Sequence, residues 1–221
     1  DDVAEYSGAK KGIASVTVAL SHFSTSFPAT DTSMIAAMDH GHLDIVGTVF
    51  DVTLAAQGSV PTPSVETTSS IAMVLSDATL SVIGCTIKLR VSQSGAHYGP
   101  IFLRAAPSAT ISILQNEFHI DHSPAFVIIA PSPLGDEIGP QADGHFTMTM
   151  ATISGRFFES PFQLDHASAR ITSTTFANIT TDDVSAVLRI ANSVSITLSG
   201  LDFANNSAPA MSISSSSDVS V

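Results

Sequence analysis

Apolar and polar residues alternate along this chain in short segments, and each segment is followed by a turn residue and then by a large apolar residue. Clear copies are LDIVGTVF at residues 43–50, ISILQNEF at residues 111–118 and ITLSGLDF at residues 196–203. Alternation with a period of two residues is typical of a β-strand with one buried face. Glycine at the turn position, as in Gly47 and Gly200, predicts a bend with positive φ between two strands.

The pattern recurs down the chain when the segments are aligned on their large apolar residue, which we call the anchor. The anchors are Phe23, Phe50, Ile87, Phe118, Phe158, Phe176 and Phe203. A further short apolar segment follows each anchor, so each unit is expected to hold three strands. Such self-similarity indicates a solenoid, because each unit buries its apolar face only against its neighbours. We predict one all-β solenoid domain over residues 1–221, with about seven three-strand coils and little or no α-helix.

Three segments rich in Pro, Gly and Ser interrupt the repeats at residues 55–69, 92–99 and 131–144. A solenoid tolerates such insertions as loops that project between strands, so we predict surface loops there. Residues 218–221 begin another unit and stop before its anchor. Because natural solenoids cover their open ends, we expect either that the chain is part of a longer protein or that a partner or a second copy covers this end.

Several repeats resemble those of right-handed parallel β-helix proteins of the pectate-lyase-like superfamily. The resemblance lies in LSVIGCTI at residues 80–87, in ISILQNEF and in ITLSGLDFANNS at residues 196–207. It covers essentially the whole chain and implies a right-handed parallel β-helix. Residues 203–206 also resemble the Phe-x-x-Asn element of bacterial polymorphic outer-membrane passengers, but APAM at residues 208–211 replaces their Gly-Gly-Ala-apolar element. The fold hosts lyases, hydrolases, tailspikes and adhesins, so it leaves the function open.

The composition excludes some classes of partner. The net charge is −12, and Lys and Arg together number 8, so no basic surface is available to follow a phosphate backbone and nucleic-acid binding is not expected. No apolar stretch approaches the roughly 18 residues of a membrane span, so we predict no membrane insertion in this segment. The lone cysteine, Cys85, cannot form an internal disulfide and is predicted to be a small packing residue.

Stacking of the coils converts the alignment into a map of the outer surface. One position after the anchors, the outward residues include Asp51, Lys88, His119 and Glu159. Three positions after the anchors, they include Arg90 and Asp121. We treat these six residues as a candidate binding face.

Two interpretations of this face stay open. One is a carbohydrate groove centred on Lys88, Arg90, His119 and Asp121, for which the family resemblance implies that a Lys or Arg removes the proton α to a uronate carboxyl group. The other is a ladder of mixed charges without chemistry, because like charges that face each other across strands are unfavourable. The resemblance also implies carboxylates that hold Ca²⁺, but Ca²⁺ takes about six to eight oxygen ligands and the sequence shows no tight acidic cluster, so no cofactor or metal is predicted.

Two N-glycosylation sequons occur, at Asn178-Ile179-Thr180 and at Asn205-Asn206-Ser207. Asn178 and Asn205 each lie two residues after an anchor, so they occupy equivalent positions in neighbouring coils. They are therefore either glycan acceptors of a secreted protein or members of an inward or turn-side asparagine ladder of the kind that stacked coils form.

Low charge, the abundance of Ser and Thr and the absence of a concentrated acid–base site lead to a functional expectation. We expect a non-catalytic structural or adhesive solenoid, located extracellularly or at the cell surface and serving as a filament or passenger building block. The alternative is a carbohydrate-active enzyme, a polysaccharide lyase or glycoside hydrolase, that acts on the face with Lys88, Arg90, His119 and Asp121. The expected partners are a protein or a second copy at the coil ends, with a carbohydrate as a further ligand.

Overall fold

A computed structural model describes residues 15–19, 22–28, 35–37, 41–55, 70–74, 77–91, 101–131, 144–183 and 185–221. The regular structure in these residues consists of 22 strands, numbered β1–β22 in chain order, and none of it is helical. Nor does this part of the chain hold a helix that is long and apolar enough to cross a membrane. The predicted insertion at 92–99, and residues 56–69 and 132–143 of the other two, lie outside the described residues.

The strands form three sheets. Sheet A contains, in spatial order, β1 (Ser15–Ala19), β4 (His42–Val46), β7 (Thr79–Ile83), β10 (Thr110–Leu114), β13 (His145–Thr149), β16 (Ala169–Thr172), β19 (Val194–Ser199) and β22 (Ser217–Ser220). Sheet B contains β2 (His22–Pro28), β5 (Val49–Ala55), β8 (Thr86–Val91), β11 (Glu117–Ser123), β14 (Thr152–Phe157), β17 (Thr175–Thr181) and β20 (Asp202–Ala204). Sheet C contains β3 (Ile35–Ala37), β6 (Ser70–Val74), β9 (Ile101–Ala105), β12 (Val127–Ile129), β15 (Phe162–Asp165), β18 (Leu188–Ala191) and β21 (Met211–Ser214).

Every neighbouring pair in these sheets is parallel, and each strand pairs with the strand three places further along the chain. The chain therefore visits sheets A, B and C in turn and then repeats. This connectivity is consistent with a β-solenoid. The predicted all-β class and its parallel strands are confirmed.

The register of sheet B confirms six of the seven anchors. Phe23, Phe50, Ile87 and Phe118 are successive Cα partners, and Phe176 pairs with Phe203. The seventh anchor, Phe158, is wrong. The partner of Phe118 and Phe176 is Ile153, five residues earlier in the chain.

The misplaced anchor has a local cause at the corner between sheets A and B. Five of the correctly aligned units have a positive-φ residue there, and in three of them it is a glycine. These residues are Gly47, Gly84, Gln115, Ser173 and Gly200. The corner of the misaligned unit is turned by Met150, with φ of 53°, which gives no sequence signal. Residues 151–155 have the apolar–x–apolar pattern and a glycine, Gly155, like the one that three other units carry at their corner. They therefore resemble the start of a unit, and the predicted anchor falls five residues too late.

The interior between the sheets holds one continuous apolar core that runs through successive coils. Its aromatic residues contact one another in a series, with ring centroids 4.6–5.3 Å apart. The series comprises Phe102, Phe118, Phe126, Phe162, Phe176 and Phe203. Edge-on and offset contacts at this spacing add to the stabilisation by burial, so the core also fixes which side chains of each sheet point outward.

Candidate functional site

The predicted binding face is the outer surface of sheet B. On β11, Phe118 and Ile120 are buried in the core, whereas His119 and Asp121 between and after them are exposed. Because successive side chains of a strand point to opposite faces of the sheet, these polar side chains face the solvent. The predicted outward orientation of His119 and Asp121 is confirmed, and their role in binding stays a prediction.

The ladder of sheet B brings four outward residues into one row across neighbouring strands. Asp51 is the Cα partner of Lys88, Lys88 of His119, and His119 of Ser154. Glu159 was expected in this row, and that prediction is wrong because the alignment had slipped by five residues. Glu159 instead follows β14 in a turn, where its Oε2 accepts a hydrogen bond from Gln163 Nε2 at 3.1 Å.

An open depression of about 540 Å³ lies on this face, over β8, β11 and β14. Six polar side chains line it: Lys88, Arg90, His119, Asp121, Ser154 and Arg156. The four residues proposed for a carbohydrate groove are therefore brought together. Ser154 and Arg156 were missed because the slipped alignment assigned their strand to a different part of the unit.

Two arginines border the depression, and each is held by an aspartate on its outer side. Arg90 Nη2 lies 3.1 Å from Asp51 Oδ2 on β5, and Arg156 Nη2 lies 2.8 Å from Asp182 Oδ1, just beyond β17. Exposed ion pairs of this kind contribute about 0–1 kcal/mol each. The ion pairs mainly determine where the arginines point. Because β5 and β17 lie on opposite sides of β11, the two guanidinium groups are directed away from each other.

Between the arginines, three side chains form a hydrogen-bonded chain. His119 Nε2 lies 2.9 Å from Glu117 Oε1, and His119 Nδ1 lies 3.0 Å from Ser154 Oγ. Ser154 Oγ is also within 3.3 Å of the Phe118 carbonyl oxygen. The sequence offered no serine–histidine motif, because the two residues are 35 positions apart and meet only through the pairing of β11 with β14.

Lys88 and Asp121 complete the lining of the depression. Within the described residues, neither side chain has an ion pair or hydrogen bond to another side chain. Asp51 was expected beside Lys88 and is its Cα partner, but the Asp51 carboxylate binds Arg90 on the diagonal instead. The described residues contain no group of three or more His, Cys, Asp and Glu side chains that could hold a metal ion.

The two sequon asparagines lie on β17 and just beyond β20, at the other end of sheet B. Both have positive φ, 54° for Asn178 and 55° for Asn205, and both are exposed. The inward form of the predicted ladder is therefore wrong, whereas the turn-side ladder and the role of glycan acceptors stay predictions. The amide that satisfies the backbone belongs to Asn206, whose Oδ1 accepts from Ile179 N at 2.8 Å and whose Nδ2 donates to the Phe176 carbonyl at 2.9 Å.

Comparisons of the chain with protein-family models, with curated proteins and with solved structures find no match.

Proposed function

We propose that this chain is a rigid β-solenoid with a structural or adhesive role, located extracellularly or at the cell surface as a filament or passenger building block. The observation that carries the proposal is the parallel pairing of all three sheets in one direction, with a continuous core inside them. In such an architecture each coil contacts only its neighbours, so the chain forms an elongated rod whose outer surface is regular.

The rod of this proposal is a right-handed parallel β-helix of about seven coils, of the pectate-lyase-like kind. The seven strands of sheet B and the seven of sheet C support the coil count. The handedness is supported by the general preference of connections between parallel strands, which are right-handed in about 98% of cases. The repeats at residues 80–87, 111–118 and 196–207 support the kinship.

The proposed contact surface for assembly is the pair of coil ends. The last strands of the three sheets are β20, β21 and β22, and they carry Phe203, Met211 and Val219, which are only partly buried against the core. Strands at the end of a sheet present N–H and C=O groups that pair readily with another strand. A further protein segment, from a partner or from a second copy, would extend the sheets and cover these side chains.

Electron microscopy and sizing chromatography over a range of concentrations test this proposal. We expect linear particles that lengthen with concentration. Met211→Lys places a charge on the end surface and is expected to stop the lengthening, whereas Thr110→Lys places the same charge on the side of the rod and should leave it unchanged. A wild-type protein that is a compact monomer at every concentration would contradict the proposal.

A second candidate function is carbohydrate-active chemistry on the outer face of sheet B. It is favoured by the depression that brings Lys88, Arg90, His119 and Asp121 together. In a lyase, Lys88 or Arg90 would take the proton α to a uronate carboxyl group, a C=C bond would form as the glycosidic C–O bond breaks, and the departing oxygen would take a proton from water. Incubation with uronate polymers tests this, because each cleavage creates an unsaturated, absorbing end. Turnover that disappears in Lys88→Ala or Arg90→Ala would establish a lyase, and no absorbance change on any uronate polymer would exclude one. A glycoside hydrolase is tested in the same incubations by an assay for new reducing ends.

A further inference from the structure

The hydrogen-bonded chain of Glu117, His119 and Ser154 has the connectivity of a nucleophile, a base and a carboxylate that orients the base. We propose that these residues form a hydrolytic site for short-chain acyl esters, with Ser154 as the nucleophile. The geometric requirements are a nucleophile and a base within hydrogen-bond reach, and a third group that orients the base. The first requirement is met by the 3.0 Å distance between Ser154 Oγ and His119 Nδ1, and the second by the 2.9 Å distance between His119 Nε2 and Glu117 Oε1.

Hydrogen-bond donors and acceptors determine the direction of this chain. An ionised carboxylate only accepts hydrogen bonds, so His119 Nε2 carries the hydrogen that is shared with Glu117. In the neutral imidazole, Nδ1 is then unprotonated. Nδ1 can then only accept. The single hydrogen of the Ser154 hydroxyl has two acceptors within reach, Nδ1 at 3.0 Å and the Phe118 carbonyl oxygen at 3.3 Å, and the proposal requires it on the shorter contact to Nδ1. Glu117 thereby holds His119 in the tautomer that a general base for Ser154 requires.

The reaction follows from this arrangement. Ser154 Oγ forms a bond to the ester carbonyl carbon as its proton passes to His119 Nδ1. Collapse of the tetrahedral intermediate breaks the ester C–O bond, and His119 returns the proton to the departing alcohol. A water molecule then attacks the acyl-serine with His119 again as base, and this releases the carboxylic acid and restores the Ser154 hydroxyl. The sum is ester plus water to acid plus alcohol, with no other reactant.

The surroundings indicate which esters would fit. Lys88 is the ladder neighbour of His119, and Lys88 and Arg156 line the same depression. Arg156 is already paired with Asp182 on its outer side, so the positive charge of Lys88 is the one that can stabilise the oxyanion or a nearby acidic group on the substrate. The depression is open rather than enclosed, and the apolar residues Leu89 and Ile120 beneath it are buried. It therefore provides no enclosed apolar tunnel for a long acyl chain, and a short acyl ester is the substrate that we propose.

This inference goes beyond both functions proposed above. It requires neither assembly of rods nor a lyase, and assembly at the coil ends can be present or absent independently of ester hydrolysis. Its nucleophile, Ser154, is used by neither of them.

The test uses the whole chain with p-nitrophenyl acetate as substrate and a fluorophosphonate probe read by peptide mass spectrometry. We expect the probe on the peptide that contains Ser154, and a loss of turnover of about 100-fold or more in Ser154→Ala and His119→Gln. The matched control is Ser112→Ala, because Ser112 faces outward on sheet A between Ser81 and Thr147. It should leave turnover and labelling unchanged, and circular dichroism of each variant should match that of the wild type.

Glu117 is a positioning residue in this proposal, so its test separates rate from binding. We expect Glu117→Gln to lower kcat by at least tenfold with little change in KM, and Glu117→Asp to restore part of kcat. A wild-type protein that hydrolyses the ester no faster than Ser154→Ala and takes up no probe at Ser154 would overturn the proposal.

Discussion

Asn116 hydrogen-bonds to the backbone of Cys85 in the neighbouring coil, at the corner between sheets A and B. Its Oδ1 accepts from Cys85 N at 2.7 Å, and its Nδ2 donates to the Val82 carbonyl at 2.8 Å. Asn116 is only 4% exposed, so water cannot replace these bonds. One side chain thereby satisfies two backbone groups where the chain turns away from its strand.

Asn116→Ala should therefore destabilise the fold. Each backbone group left without a partner in the interior costs about 1–3 kcal/mol, so we expect the free energy of unfolding to fall by at least about 2 kcal/mol. Urea denaturation measures this. Thr110→Ala, at an exposed position on β10, serves as the control and should change stability by less than about 0.5 kcal/mol. Equal stability of the two variants would show that the Asn116 bonds are not needed.

Substitution by alanine should lower the free energy of unfolding more at Gly155 than at Gly84. A Cβ at Gly155, where φ is 145°, would overlap the carbonyl oxygen of Ile120, so Gly155→Ala must separate β11 from β14 and should cost about 3 kcal/mol or more. A Cβ at Gly84 meets nothing within 4 Å. Gly84→Ala therefore carries only the cost of positive φ, about 1–2 kcal/mol. Chemical denaturation of both variants checks the order, and a smaller loss for Gly155→Ala would contradict it.

Met150 offers a stabilising substitution. It has φ of 53° and is 48% exposed, so it bears the strain of the left-handed region and has little packing to lose. Met150→Gly should raise the free energy of unfolding by about 0.5–1 kcal/mol, since relief of strain exceeds the added entropy of the unfolded chain. Met150→Ala keeps the Cβ and should not share the gain. Thermal denaturation that ranks Ala at or above Gly would refute the explanation.

The buried thiol of Cys85 predicts a loss of stability in alkaline solution. Burial raises the pKa of Cys85 above its ordinary value of 9.0, although hydrogen bonds with the backbone of Thr48, Ile83 and Gly47 oppose the shift. The unfolded thiol loses its proton near pH 9.0 while the folded one keeps it, so this contribution to stability is complete below that pH and is lost as the pH rises through the folded pKa. Urea denaturation on both sides of pH 9.0 measures the effect.

The control for this prediction is Cys85→Ala, which removes the titrating group. Its free energy of unfolding should fall less steeply than that of the wild type as the pH rises above 9.0. Parallel pH profiles of the two proteins would contradict the assignment of the effect to Cys85.

The sequence could predict the architecture because each repeat carries local signals, namely alternating apolar and polar residues and a glycine at the corner. Alternation places Leu43 and Ile45 inside, and Gly47, Gly84 and Gly200 mark a corner that other residues adopt only with strain. One unit lacks these signals at its corner and carries a similar pattern five residues later. Met150 turns the same corner without a glycine, and Gly155, which lies inside β14, imitates the missing corner glycine. Phe158 was therefore taken for Ile153, and Glu159 was placed in the row that Ser154 occupies.

The sequence by itself determined the all-β class, the parallel stacking in three strands per unit, and the outward position of Lys88, Arg90, His119 and Asp121, because a two-residue period specifies a face. Only the tertiary structure decided which outward residues meet. The bonds of His119 to Ser154 and of Arg156 to Asp182 join residues far apart in the chain. Their contact depends on the register between strands, which the pattern within a single strand does not specify.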